Sequence, residues 1–217
     1  MFLIQIQKII LFFLKNSSKY IDMEQNIILW LQSIGNSFLD IFFTIESYMA
    51  SWIGALCLFL IIFFLVDKKY GLFYGCSFVL TIILNYIVKS IIQRPRPFVD
   101  NPEIVNKLNT IGYSMPSGHS VSITFMALSL VFLFVYLNKN GKLNVWNRTW
   151  FKIVSIICAL LFVFVTAISR MYLGQHYISD ILVGIALSVI MFFIARLLFP
   201  SFSKFYDERI NKKKTNS

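Results

Sequence analysis

The chain has 217 residues and a net charge of +10; 58% of its residues are hydrophobic and only 14% are charged. Soluble domains carry charge on roughly 25% of their residues, so an ordinary soluble protein is excluded and one compact integral-membrane domain is indicated. The positive balance does not imply nucleic acid, because the cations sit in short loops between apolar runs and in the tail, with no basic stripe interleaved with aromatics.

In chain order, residues 1–14 form an apolar run broken by Gln5, Gln7 and Lys8, which fits an interfacial helix as well as a tilted first span. It lacks a cationic start and a small-residue cleavage site, so a cleaved signal peptide is not expected. Residues 22–48 mix Trp30, Phe38, Ile41, Phe42 and Phe43 with Asp22, Glu24, Asp40 and Glu46, a pattern suited to helices lying at the interface. Five runs follow, at 50–66, 70–88, 118–137, 151–168 and 177–199, each close to the roughly 20 residues that cross a bilayer core. Gly71 and Gly75 form a GxxxG, a signal for close helix packing. Cys57, Cys76 and Cys158 lie far apart within apolar runs and read as packing residues. The expected fold is all-α: a polytopic membrane bundle of five to six transmembrane helices plus N-terminal interfacial helices. Its parts are a membrane-associated segment (1–48), the membrane domain (49–200) and a basic cytoplasmic tail (201–217).

Alternation of the spans puts the loop 89–117 and the segment 169–176 on one side. The opposite side gathers Lys68, Lys69, Lys139, Lys142, Arg148, Lys152, Arg196 and the tail cations. The positive-inside rule makes that Lys-rich side cytoplasmic and the first side extracytoplasmic.

Three polar stretches break the apolar background: KSIIQRPRP (89–97), PSGH (116–119) and SRMYLGQHYISD (169–180). The only two histidines, His119 and His176, fall within them. His176 and Asp180 are four apart, so on a helix they share a face. Such a carboxylate can accept a ring N–H, fix the tautomer and leave the other nitrogen as a nucleophile; a polar pair satisfying itself at a helix end reads equally well. Ser117 is a candidate N-cap, and Gly118 allows close backbone approach to an anion at the helix N-terminus. His119 would then stand ready to donate a proton to a leaving oxygen; the plainer alternative is an ordinary helix start. Pro95 and Pro97 stiffen the loop around Arg96, whose fork matches phosphate oxygens, and Lys89 and Arg170 add two more cations. Arg94 reads as a snorkelling cation, and Asp100 and Glu103 as solvated loop charges, not metal ligands.

The order KxxxxxxRP, PSGH, SRxxxxxHxxxD resembles the three signature motifs of the type 2 phosphatidic acid phosphatase superfamily, kin to bacterial acid phosphatases and vanadium haloperoxidases. Lys89, Arg96, Pro97, Pro116, Ser117, Gly118, His119, Ser169, Arg170, His176 and Asp180 match every signature position. The resemblance covers residues 50–199. It implies that His176 attacks phosphorus with Asp180 orienting it, and that His119 protonates the leaving group and then activates water. Lys89, Arg96, Ser117, Gly118 and Arg170 would bind the phosphate. No metal or other cofactor is implied. The partners expected are a lipid-phosphate substrate and membrane lipids, without nucleic acid, and the hydrophobic spans exclude a soluble haloperoxidase. Undecaprenyl pyrophosphate is the first-choice substrate. Phosphatidylglycerophosphate or phosphatidic acid hydrolysis, lipid A dephosphorylation or phosphotransfer, and non-catalytic lipid binding are the alternatives.

Overall fold

The computed structural model describes residues 18–143 and 147–215; the run 1–14, expected as an interfacial helix or a span, lies outside the described residues. Helix α1 (Ser18–Ser33) meets α2 (Ser37–Met49) at 119°. Asn36 restarts the chain at this bend, its side chain accepting the Leu39 N–H at 3.0 Å and satisfying a donor that α2 itself leaves unpaired. Next come α3 (Trp52–Ile61), which runs into a π-helical turn (Ile62–Val66), then α4 (Lys68–Ile92) and the short α5 (Pro97–Asp100). The bundle closes with α6 (Gly118–Lys139), α7 (Thr149–Tyr172) and the long α8 (Ile178–Thr215).

Among the described residues four helices are long and apolar enough to cross a membrane, or five if the bent α1–α2 pair forms one span. The sequence suggested five to six. Part of the difference is the run 50–66: Trp52–Val66 is among the shorter apolar helices. At 1.5 Å per residue it extends about 22 Å, against a hydrocarbon core of about 30 Å.

The GxxxG lets α3 fold back onto α4, since a Cβ on Gly71 would lie 2.6 Å from the Phe63 Cα. Away from the polar stretches, the core is aromatic: Tyr70, Phe73, Tyr74 and Phe78 of α4 pack with Phe125 of α6 and Phe192 of α8. Lipid is as apolar as these rings, so close van der Waals packing, not escape from water, holds this end together.

The α1–α2 pair packs over the α7–α8 turn. Leu31 and Phe43 meet Tyr172 and Leu173, and Ile28 meets Ile104 and Tyr177. Its exposed face carries Trp30, Phe38, Ile41 and Tyr48, while Glu24 and Ser47 are buried. The acidic residues that suggested an interfacial segment therefore include one, Glu24, that turns into the protein.

Candidate active site

The third polar stretch begins where α7 ends. Gly174 takes a left-handed conformation (φ +74°), and a Cβ there would lie 2.4 Å from the Val105 carbonyl. The turn is closed by the Arg170 carbonyl, which accepts the Gln175 N–H at 2.9 Å and the His176 N–H at 3.3 Å. His176 thus sits two residues ahead of α8, not on it. The expected helical face is replaced by a cap, in which Asp180 in the first turn reaches back and accepts the Tyr177 N–H at 2.9 Å.

The His176 Nδ1–Asp180 Oδ2 separation is 3.7 Å, beyond hydrogen-bond range. Ser114 lies between them: its hydroxyl is 3.4 Å from Nδ1 and donates to Asp180 Oδ2. Among the described residues none hydrogen-bonds to Nε2. Burial holds the His176 ring neutral and pushes its pKa down to about 3, against the upward pull of Asp180.

Asp180 is wholly buried, and its Oδ1 accepts from Arg94 Nη1 at 2.7 Å. Arg94 is therefore not a snorkelling cation; it is 5% exposed and also reaches Ser179 Oγ (2.6 Å) and Glu24 Oε2 (3.2 Å). Two neighbouring carboxylates in a buried pocket require a cation, which a sequence window around Arg94 does not reveal. Asp100 likewise is more than a solvated charge, since it accepts the Tyr177 hydroxyl at 2.8 Å.

Lys89, at the end of α4, donates to the Tyr113 and Ser114 carbonyls at 3.0 and 3.1 Å. Arg96 donates through Nη1 to the Gln175 carbonyl and Oε1, both at 3.1 Å, and through Nε to the Gly112 carbonyl at 3.1 Å. Arg170 is 1% exposed; Nη2 donates to Ser169 Oγ at 2.8 Å and lies 3.9 Å from Glu46 Oε2. Thr166 donates to the other Glu46 oxygen.

In the PSGH stretch, Ser117 caps α6, accepting the Ser120 N–H at 3.4 Å, while its own N–H donates to the Asp180 carbonyl at 3.0 Å. Gly118 has no positive φ, and a Cβ there would meet only Asn85 Nδ2 at 3.5 Å, an ordinary contact. Neither backbone conformation nor packing within the protein demands glycine there. His119 Nε2 is 3.3 Å from Ser47 Oγ of α2. Direct bonds thus draw the three stretches together at one end of the bundle: Arg96 to Gln175 and Ser117 to Asp180.

A sequence model of the PAP2 superfamily matches residues 70–204, a stretch that contains all three motifs. The chain belongs to the PAP2 superfamily. A PAP2 relative, phosphatidylglycerophosphatase B of Bacillus subtilis, is 31% identical over 60% of this chain and 54% of its own length. Undecaprenyl-diphosphatase of Sulfolobus acidocaldarius is 30% identical over 61% of this chain and 56% of its own. The chain spans little more than half the length of these relatives. The crystal structure of a transmembrane PAP2-type phosphatidylglycerolphosphate phosphatase from Bacillus subtilis superposes with a TM-score of 0.69 at 22% identity, covering 96% of this chain and 95% of that one. That likeness shows the PAP2 membrane fold. Glu24, Glu46 and Ser47 lie before the matched segment, and no motif in the sequence pointed to them.

Proposed function

We propose that this PAP2 protein is a multi-pass membrane phosphatase that hydrolyses a lipid phosphate through a phospho-histidine intermediate. The observation that carries the reading is the convergence of both histidines with Lys89, Arg96 and Arg170 at one end of an otherwise apolar bundle. Family membership supports it.

The chemistry runs in two steps. His176 Nε2 attacks phosphorus with its free electron pair, the P–O bond to the leaving group breaks, and His119 gives its proton to the departing oxygen. Water then attacks the phospho-histidine, His119 takes a proton from that water, and the P–N bond breaks to free the ring and inorganic phosphate. Lys89, Arg96 and Arg170, with Ser117 and the Gly118 amide at the start of α6, stabilise the charge that builds on the phosphoryl oxygens. A glycine that the protein's own packing does not require suits a phosphate lying against its backbone. Ser114 and Asp180 fix the His176 ring so that Nε2 faces the phosphorus.

Undecaprenyl pyrophosphate is the first-choice substrate, supported by the similarity to an undecaprenyl-diphosphatase. Phosphatidylglycerophosphate is the second, supported by the phosphatidylglycerophosphatase B relative. The cation distribution favours a plasma-membrane location with the site outside the cytoplasm. The test is phosphate release by detergent-purified protein in EDTA, with undecaprenyl pyrophosphate, phosphatidylglycerophosphate and phosphatidic acid offered in parallel. Release is expected without metal and should fall roughly 10⁴-fold or more in His176→Ala. Release that survives the substitution would remove His176 as nucleophile, and the order of the lipids assigns the substrate.

A further inference from the structure

Around His176 lies a buried network that ties Asp180 to residues outside the signature positions, Arg94, Ser114 and Glu24. Asp180 Oδ2 is shared by Ser114, the Tyr177 amide and the neighbouring His176 ring, so its position is set by what holds Oδ1. That group is Arg94, at 2.7 Å. The same residue also fixes Ser114, because the Arg94 carbonyl accepts the Ser114 N–H at 2.8 Å. The two groups that face His176 Nδ1 are thus both tied to one arginine, one through its side chain and the other through its backbone.

Arg94 is fixed in turn. Its guanidinium carbon stands 4.0 Å over the Tyr177 ring, and its second nitrogen donates to Glu24 at 3.2 Å. Glu24 Oε1 accepts the Ser179 N–H at 2.7 Å and Oε2 accepts the Ser179 hydroxyl at 3.1 Å. Ser179 N–H is a first-turn donor of α8 with no partner inside that helix, and a carboxylate there is also favoured by the helix dipole. Glu24 therefore binds both the arginine and the start of the helix that carries Asp180.

We propose that Arg94 and Glu24 are positioning residues for phosphoryl transfer, which makes α1 a working part of the active site. The inference rests on the phospho-histidine reading above. Arg94 spends its side-chain donors on Asp180 Oδ1, the Ser179 hydroxyl and Glu24, while His176 lies 3.7 Å from Asp180 Oδ2, so it acts through Asp180 and Ser114 and does not bind the phosphate. A lysine in its place keeps the charge and loses the fork that reaches both carboxylates.

The test uses the full chain in detergent and the lipid that the wild type cleaves fastest. It measures kcat, KM, thermal midpoint and the rate at which acid-labile phosphoenzyme is trapped. Groups that orient a metal-ligating histidine from behind typically cost roughly 10–100-fold when removed, and the same scale is expected here. Glu24→Gln should lower kcat and the phosphorylation rate about tenfold, and Arg94→Lys about 100-fold, with KM changed less than twofold in each. Because Arg94 and Glu24 form one chain, the double variant should lose much less than the product of the single losses. A thermal midpoint that falls in Glu24→Gln while kcat stays at the wild-type value would show a merely structural role and overturn the proposal. So would a KM that rises in Arg94→Lys at unchanged kcat, which would place Arg94 on the substrate. Failure to trap phosphoenzyme from the wild type would overturn the reading beneath, and this inference with it. Wild-type trapping that Glu24→Gln leaves equally fast would overturn this inference alone. If Arg94→Lys does not fold, Glu24→Gln and Glu24→Ala still decide the matter.

Discussion

Around Asp180, both carboxylate oxygens, the Arg94 fork, Ser114, Ser179 and Glu24 are linked by close hydrogen bonds. Around Arg170 the construction is looser: Glu46 stands off at 3.9 Å, and Arg170 Nε and Glu46 Oε2 are buried without a hydrogen-bond partner among the described residues. The contrast separates two tasks. A nucleophile must be aimed before the substrate arrives, which requires its supports to be satisfied by the protein itself. A cation that is to stabilise developing charge serves better when its donors are not already consumed by a tight internal ion pair. On the proposed mechanism the His176 end is thus preorganised, and the Arg170 end keeps capacity for an oxyanion.

The sharpest way to break this comparison is Asp180→Asn. The amide preserves shape but cannot hold the ring tautomer or balance Arg94 and the imidazole. A loss of kcat of roughly 10³–10⁴-fold is expected, with little change in KM, the scale seen when an orienting carboxylate is neutralised behind a catalytic histidine. Single-turnover phosphorylation kinetics would check it. A loss of less than tenfold would mean that Ser114 alone orients the ring, and that the closely bonded end of the site is structural.

A milder change probes the looser end. Glu46→Gln keeps an acceptor for Thr166 but removes a negative charge beside Arg170. At an effective dielectric near 20, a carboxylate some way from a bound phosphate opposes it by about 1 kcal/mol, so KM for the lipid should fall roughly fivefold while kcat changes less than threefold. Steady-state kinetics at fixed detergent concentration would show it. A large fall in kcat with KM unchanged would mean that Glu46 positions Arg170 much as Arg94 positions Asp180, and the distinction between the two ends would collapse.

Much of this site was legible in the sequence because its motifs are local. A cap such as Ser117 lies within a few positions of the donor it satisfies, so spacing carries the information; the turn at Gly174, which takes His176 off the expected helix, was not read from it. The supports are another matter. Glu24, Ser114 and Arg94 meet residues 66 to 155 positions away in the chain, and only the tertiary fold brings them together. Residues 22–48 show what polarity leaves open. In a membrane, a helix can expose apolar residues and turn its acids inward, so the same composition fits an interfacial helix and a wall of the site. Helix type was legible throughout the main spans. What hydropathy did not show for 50–66 is that the helix covers only Trp52–Val66, a length short of the bilayer core.

The smallest expected effect is one of pH, and it tests the preorganised end alone. Burial lowers the His176 pKa to about 3 from an ordinary value near 6.5. On the proposed mechanism the unprotonated ring is the nucleophile, so it remains fully available at pH 5 and loses its electron pair only as the pH approaches 3. The unfolded chain takes up this proton near pH 6.5, so between about 6.5 and 3 it binds more protons than the folded protein does. The ring's contribution to stability is then complete above about 6.5 and declines as the pH falls toward 3. Once corrected for the phosphate's own ionisation near pH 6, kcat/KM should show no acid limb between about pH 5 and 7. Its alkaline limb should appear where His119 loses the proton it must donate, giving a bell displaced toward acid. In Asp180→Asn the carboxylate that raises the His176 pKa is gone, so any acid limb should move lower still even as the rate collapses. A corrected wild-type limb near 6.5 would mean that the attacking ring is solvated, and the buried, pre-aimed nucleophile would have to be given up.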